Sequence, residues 1–168
     1  MTSKQNQIKY LFKDILTIQF SVKEHPYDID DLFKNLKITY GSSFNANIED
    51  EALLFDLEIV ATSELDDVIE CFSIELRNVF LIEDLKSFLK PQGNLSIPKE
   101  HLTLFASLGY STARGVLHEK LAFSRYRPKF ILPVIDPNKI TDNIDFEDIQ
   151  LFDNKEREKH NNANQADG

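Results

Sequence analysis

Four stretches of the chain alternate apolar and polar residues with a period of two, the repeat of a strand that buries one face. In the first, Leu16, Ile18, Phe20 and Val22 share a side, and Thr17, Gln19 and Ser21 take the other. In the second, Leu36, Ile38, Tyr40, Ser42, Phe44, Ala46 and Ile48 oppose Lys37, Thr39, Ser43, Asn45 and Asn47. In the third, Leu53, Phe55, Leu57, Ile59 and Ala61 oppose Asp56, Glu58 and Thr62. In the fourth, Val68, Phe72, Ile74 and Leu76 alternate with Cys71, Ser73, Glu75 and Arg77. The links NIEDE and SELDD are polar turn material, so the last three strands form antiparallel hairpins. The link between the first two is longer and holds Pro26 and the acidic run DIDD, which predicts a crossover.

After Pro98 the period becomes helical. Leu102, Phe105, Ala106, Gly109, Thr112, Ala113, Val116 and Leu117 form one stripe, with Ser96 or its neighbours as the cap and Pro98 in the first turn. Gly109 inside a helix costs roughly 1 kcal/mol relative to Ala, so it predicts a close approach there. A weaker amphipathic stretch at residues 144–153 predicts a short C-terminal helix. Residues 154–168, polar throughout, are expected to be a disordered tail. The expected architecture is α+β: one domain over residues 1–153, with a four-stranded antiparallel sheet, a long helix packed after it and the short C-terminal helix. The sheet's uncovered face is expected to be polar and solvated.

One apolar run fits neither period. FILPVIDPNKI, residues 130–140, carries Pro133 in its middle, where a central strand or a helix would need the missing N–H. An extended, irregular course remains, and Phe130, Ile131, Leu132, Val134 and Ile135 must still cover something.

With 168 residues and 42% hydrophobic content, the chain can bury a real core. Its net charge of −9 disfavours nucleic acid as a partner and leaves an acidic surface for a basic one. A single cysteine, Cys71, permits no intrachain disulfide and fits a reducing compartment. The first residues are too polar for a signal peptide and no run reaches transmembrane length, so a soluble cytoplasmic protein without membrane insertion is expected.

Candidate chemistry is sparse. His118-Glu119 opens like a zinc-protease helix, but Ala122 stands where the second imidazole is needed. His25, His101 and His160 are scattered. Gly109 and Gly115 lie inside the helical pattern, away from any strand-to-helix phosphate loop. Cys71 has no neighbour in sequence to lower its pKa, and Asp66-Asp67 sit in a turn. No catalytic constellation emerges. The expectation is a binding protein rather than an enzyme, with no cofactor and no metal.

The order of parts carries a resemblance. Meandering strands are followed by a helix bearing GYSTARGVLHEKL, with Tyr110, Ala113, Arg114 and Gly115, and then by ILPVIDP. Over residues 15–140 this resembles the SecB family of protein-export chaperones and its SecB-like relatives. The resemblance implies an ATP-independent holdase that binds unfolded or precursor polypeptides in apolar grooves for export. It also implies self-association to a dimer or tetramer, and SecA as a possible partner. The implied groove residues are Phe72, Ile74, Leu76, Leu36, Ile38, Tyr40, Tyr126, Phe130 and Leu132, and Glu75 is the implied motor contact. Gln19 and Lys23 stand where classical members carry an acidic pair, Ser73 replaces a leucine, and the fourth strand is expected to be shorter, with Arg77-Asn78 before Val79-Phe80. These departures weaken the SecA contact and leave room for a diverged chaperone dedicated to one partner, such as an antitoxin.

Overall fold

Four long strands form an antiparallel sheet in the order β1-β4-β3-β2. They are β1 (Tyr10–Val22), β2 (Leu36–Asn47), β3 (Ala52–Glu64) and β4 (Val68–Ile82). The structure, a computed structural model, describes residues 8–142, 144 and 149–152. The expected tail lies outside them. β3 is central because its inward row of Leu53, Phe55, Leu57, Ile59 and Ala61 needs cover from both neighbours, and all five are buried. The crossover after β1 holds the short helix α1 (Ile29–Lys34). Its first turn is capped by the Asp28 carboxylate, which accepts from the Asp30 N–H.

Several expectations change. A fifth strand, β5 (Gln150–Leu151), pairs parallel to β2, so the sheet is mixed rather than purely antiparallel. The Phe152 N–H continues the ladder to the Ala46 carbonyl, so the returning chain satisfies edge groups that β2 would otherwise present. The described residues of the stretch expected to be a C-terminal helix therefore include this strand. The short helix lies earlier, as α3 (Pro137–Thr141). There Pro137 opens the first turn and the Asp136 carboxylate accepts from the Asn138 N–H. β4 runs unbroken through Arg77 and Asn78 to Ile82.

β1 begins at Tyr10 and does not keep a strict alternation. Register shifts between Phe12 and Asp14, and between Thr17 and Gln19, move residues across the pleat. Leu16 faces the open side opposite Arg77, while Thr17 lies opposite the buried Leu76. A similar shift between Ala61 and Thr62 accompanies the burial of Cys71, which sequence alternation placed on the polar side.

The long helix α2 (Lys99–Lys120) crosses the other face of the sheet. Pro98 itself is the N-cap residue, and no side chain caps this end. A Cβ at Gly109 would stand 2.6 Å from Phe55 Cδ1, so only glycine permits this approach. Phe105 packs on Phe80 with ring centroids 4.7 Å apart and meets the edge of Tyr10 at 4.9 Å.

Candidate functional site

The proline-containing segment 130–136 forms neither helix nor strand and is hydrogen-bonded to α2. Two α2 side chains one turn apart supply the hydrogen bonds that a neighbouring strand would have given. The Tyr110 hydroxyl donates to the Pro133 carbonyl at 2.7 Å, and Arg114 Nε donates to the Leu132 carbonyl at 2.9 Å. Burial and the neighbouring Tyr40 hydroxyl push the Tyr110 phenol pKa up. Further along, the Ser42 hydroxyl donates to the Ile140 carbonyl at 2.7 Å and fixes α3 over β2.

At the other end, Phe130 packs edge-on against Phe72, with centroids 4.7 Å apart, and against Phe33 at 6.3 Å. The buried Tyr126 hydroxyl donates to the Lys23 carbonyl at 2.8 Å. Arg125 donates to the carbonyls of His25 and Tyr27, each at 2.8 Å, and Lys129 pairs with Asp30. These bonds lash the crossover to the chain leaving α2.

The sequence-derived groove residues divide by burial. Phe72, Ile74, Leu76, Tyr126, Phe130 and Leu132 are buried in the core between sheet and helix. Leu36, Ile38 and Tyr40 face the same side and are half-buried. Phe130 and Leu132 turn inward, while Ile131 is 70% and Val134 79% exposed. With half-buried Ile135, these residues form an apolar strip near β2, linked to it through the Tyr40 and Tyr110 hydroxyls and the Pro133 carbonyl. The sequence led us to expect Ile131 and Val134, with Phe130, Leu132 and Ile135, to cover the sheet and shape a groove wall, and the fold instead leaves these two facing out.

Glu75 lies on the other face of the sheet. It stands across from Glu58 on β3 and Gln19 on β1, beside a depression of about 280 Å³ that also borders Asp56 and Gly41. Arg77 holds Asp56 with two bonds of 2.8 Å, and Asn45 donates to the same carboxylate. This centre is polar as expected, but the end of the face nearest the β3–β4 termini is not. Buried Ala52 and Leu54 join Val79, Leu81 and Leu16 around a second depression of about 350 Å³. The Cys71 thiol, on the core side, is pushed up in pKa by burial. Among the described residues no helix is long and apolar enough to cross a membrane, and no three His, Cys, Asp or Glu side chains gather as metal ligands.

No protein-family model matches the sequence, and no curated protein matches it. Among solved structures, the chain is similar to the Mycobacterium tuberculosis SecB-like chaperone Rv1957 in complex with a ChAD peptide from the HigA1 antitoxin. The TM-score is 0.51 at 14% identity, over 75% of this chain and 87% of that one. A looser likeness, at TM-score 0.33 and 10% identity, links 76% of this chain to 99% of a Streptococcus agalactiae protein of unknown function. The first likeness shows that the fold is SecB-like.

Proposed function

We propose that this chain is an ATP-independent holdase chaperone that binds unfolded or precursor polypeptides along the apolar strip beside β2. The observation that carries the reading is the exposure of Ile131 and Val134 on a segment whose proline bars it from the sheet. Leu36, Ile38 and Tyr40 extend that surface. Phe72, Ile74, Leu76, Tyr126, Phe130 and Leu132 form the layer beneath, which a client reaches when residues 130–136 lift. Each client side chain buried there contributes about 1.5–3 kcal/mol, and ordering the client offsets much of it. Several such contacts along an extended path therefore select unfolded chains over folded ones.

In this reading the protein works in the cytoplasm, self-associates as a dimer or tetramer and has no chemical step. Glu75, with Glu58 beside it, offers a basic partner such as SecA an acidic patch on the opposite face. A second reading is a chaperone dedicated to one partner such as an antitoxin, favoured by the antitoxin peptide bound to the Mycobacterium tuberculosis structure.

The test is light scattering of chemically denatured clients diluted into buffer without ATP. The native protein at molar excess is expected to suppress aggregation. The Ile131→Asp/Val134→Asp variant is expected to lose most of that effect while keeping its melting temperature. Unchanged aggregation with the native protein across both a client panel and a candidate antitoxin would end the chaperone reading. Protection of the antitoxin alone would select the dedicated form.

A further inference from the structure

β5 is tied to the sheet by little. It pairs Gln150 and Leu151, in parallel, with Asn45 and Ala46 of β2, and the Phe152 N–H donates to the Ala46 carbonyl at 3.1 Å. Parallel pairing is the less stable kind per residue. Gln150 is exposed and Leu151 is 42% exposed, while Ile149 just before them is buried. The run Ile149-Gln150-Leu151-Phe152 is an apolar stretch in extended form, which is the chemistry that a chaperone client offers. We propose that β5 is a displaceable strap, occupying the end of an edge that an extended client strand takes, so that client and strap compete. The inference rests on the chaperone reading and adds the regulation of that site.

Two bonds fix which groups of β2 face that edge. The Glu64 N–H donates to the carbonyl of Asn35, just before β2, at 3.3 Å, so odd-numbered positions turn their backbone groups toward β3. The Ala46 carbonyl, at an even position, turns outward to Phe152. By strand alternation Ile38, Tyr40, Ser42 and Phe44 turn theirs outward as well. Among the described residues no strand besides β5 pairs with this edge. The chain returning to β5 follows β2 in order: Tyr40 is linked to Pro133 through Tyr110, Ser42 holds Ile140, and Ala46 holds Phe152. A client that starts on the exposed Ile131 and Val134 and extends along β2 in the same direction therefore arrives at β5. The faces agree, because Leu151 pairs with Ala46, in the same row of β2 as Tyr40 and Phe44. Backbone bonding to an edge reads no client sequence, so an extended apolar chain can replace β5 bond for bond.

Equilibrium binding of a labelled, reduced and carboxymethylated polypeptide to the full chain, without ATP, reads the competition. Asn45→Cys/Gln150→Cys joins neighbouring positions of the ladder, and Cys71 is buried away from the new pair. The oxidised variant is expected to bind the polypeptide about fivefold more weakly than the same variant after reduction. Phe152→Pro removes the N–H that holds Ala46, and Phe152→Leu keeps it. The proline variant is expected to bind about fivefold more tightly than the leucine variant. In the native chain, hydrogen exchange at the Phe152 amide is expected to quicken when the polypeptide binds. Binding that neither the lock nor the release changes, or a Phe152 amide that stays protected beneath bound polypeptide, overturns the strap and leaves the chaperone reading in place. A native chain that binds nothing beside a proline variant that binds supports a strap closed in the native state. Binding by neither ends the chaperone reading and the strap with it.

Discussion

Gly109 and Gly115 lie on the same helix and meet opposite surroundings. A Cβ at Gly109 would press into the Phe55 ring, whereas one at Gly115 has nothing within 4 Å. Gly109→Ala is therefore expected to destabilise the fold by about 1–3 kcal/mol through overpacking. Gly115→Ala is expected to stabilise it by about 0.5–1 kcal/mol through helix propensity. Denaturant midpoints with unchanged slopes measure both, and a shift of the same sign in the two variants would contradict the packing. The buried phenols make a second prediction. Burial holds the Tyr110 and Tyr126 pKa values above the ordinary 10.0. Above that pH the folded state keeps protons that the unfolded state loses, so stability is present below it and falls as pH rises. The denaturation midpoint is expected to drop steeply on the alkaline side of pH 10, and Tyr110→Phe is expected to flatten the drop. An equally steep profile in that variant would remove the phenol as its cause.

At the scale of elements, the 130–136 segment shows why a proline-broken apolar run stays ordered. Its carbonyls find Tyr110 and Arg114 on α2 instead of a strand. Tyr110→Phe is expected to cost about 0.5–1.5 kcal/mol and Arg114→Ala about 1.5–3 kcal/mol. Both are expected to speed amide exchange across residues 131–136 more than in β3, and exchange unchanged there would show that the segment is held by packing alone. The helix motif and the proline run were legible in the sequence as neighbours in order, but the bonds joining them were not, because they cross from helix to loop. β2, β3 and the Phe72–Leu76 part of β4 were legible because their inward rows hold a period of two. The two irregularities in β1 leave no mark on composition, so Leu16 and Thr17 were assigned to the wrong faces. β5 has two residues, too few to show a period. Alternation also tells which side a residue faces and not what covers that side. Phe72, Ile74 and Leu76 could therefore be placed on one face, while their full burial beneath α2 and Phe130 came only with the fold.

At the scale of the whole molecule, the thickness of one sheet separates the apolar strip from an acidic pair. The helix side carries the apolar strip with Ile131 and Val134, and the open side carries Glu58 and Glu75 directly opposite each other across β3 and β4. Like charges at such a pair destabilise a sheet, so Glu58→Lys is expected to raise stability by about 0.2–1 kcal/mol. A strand pair that retains the repulsion suits a surface that meets a basic partner. The same substitution is then expected to slow association with such a partner and to reduce its salt dependence. Holding of an unfolded client on the far side should be unchanged, because distant sites with no shared contacts act additively. The Ile131→Asp/Val134→Asp variant is expected to do the reverse, losing client holding while keeping the salt-dependent association. Measuring both activities in both variants tests whether the sheet insulates its faces. If Glu58→Lys impaired client holding as strongly as the loss of Ile131 and Val134, clients would have to wrap onto the open face, and the two surfaces would be one continuous site.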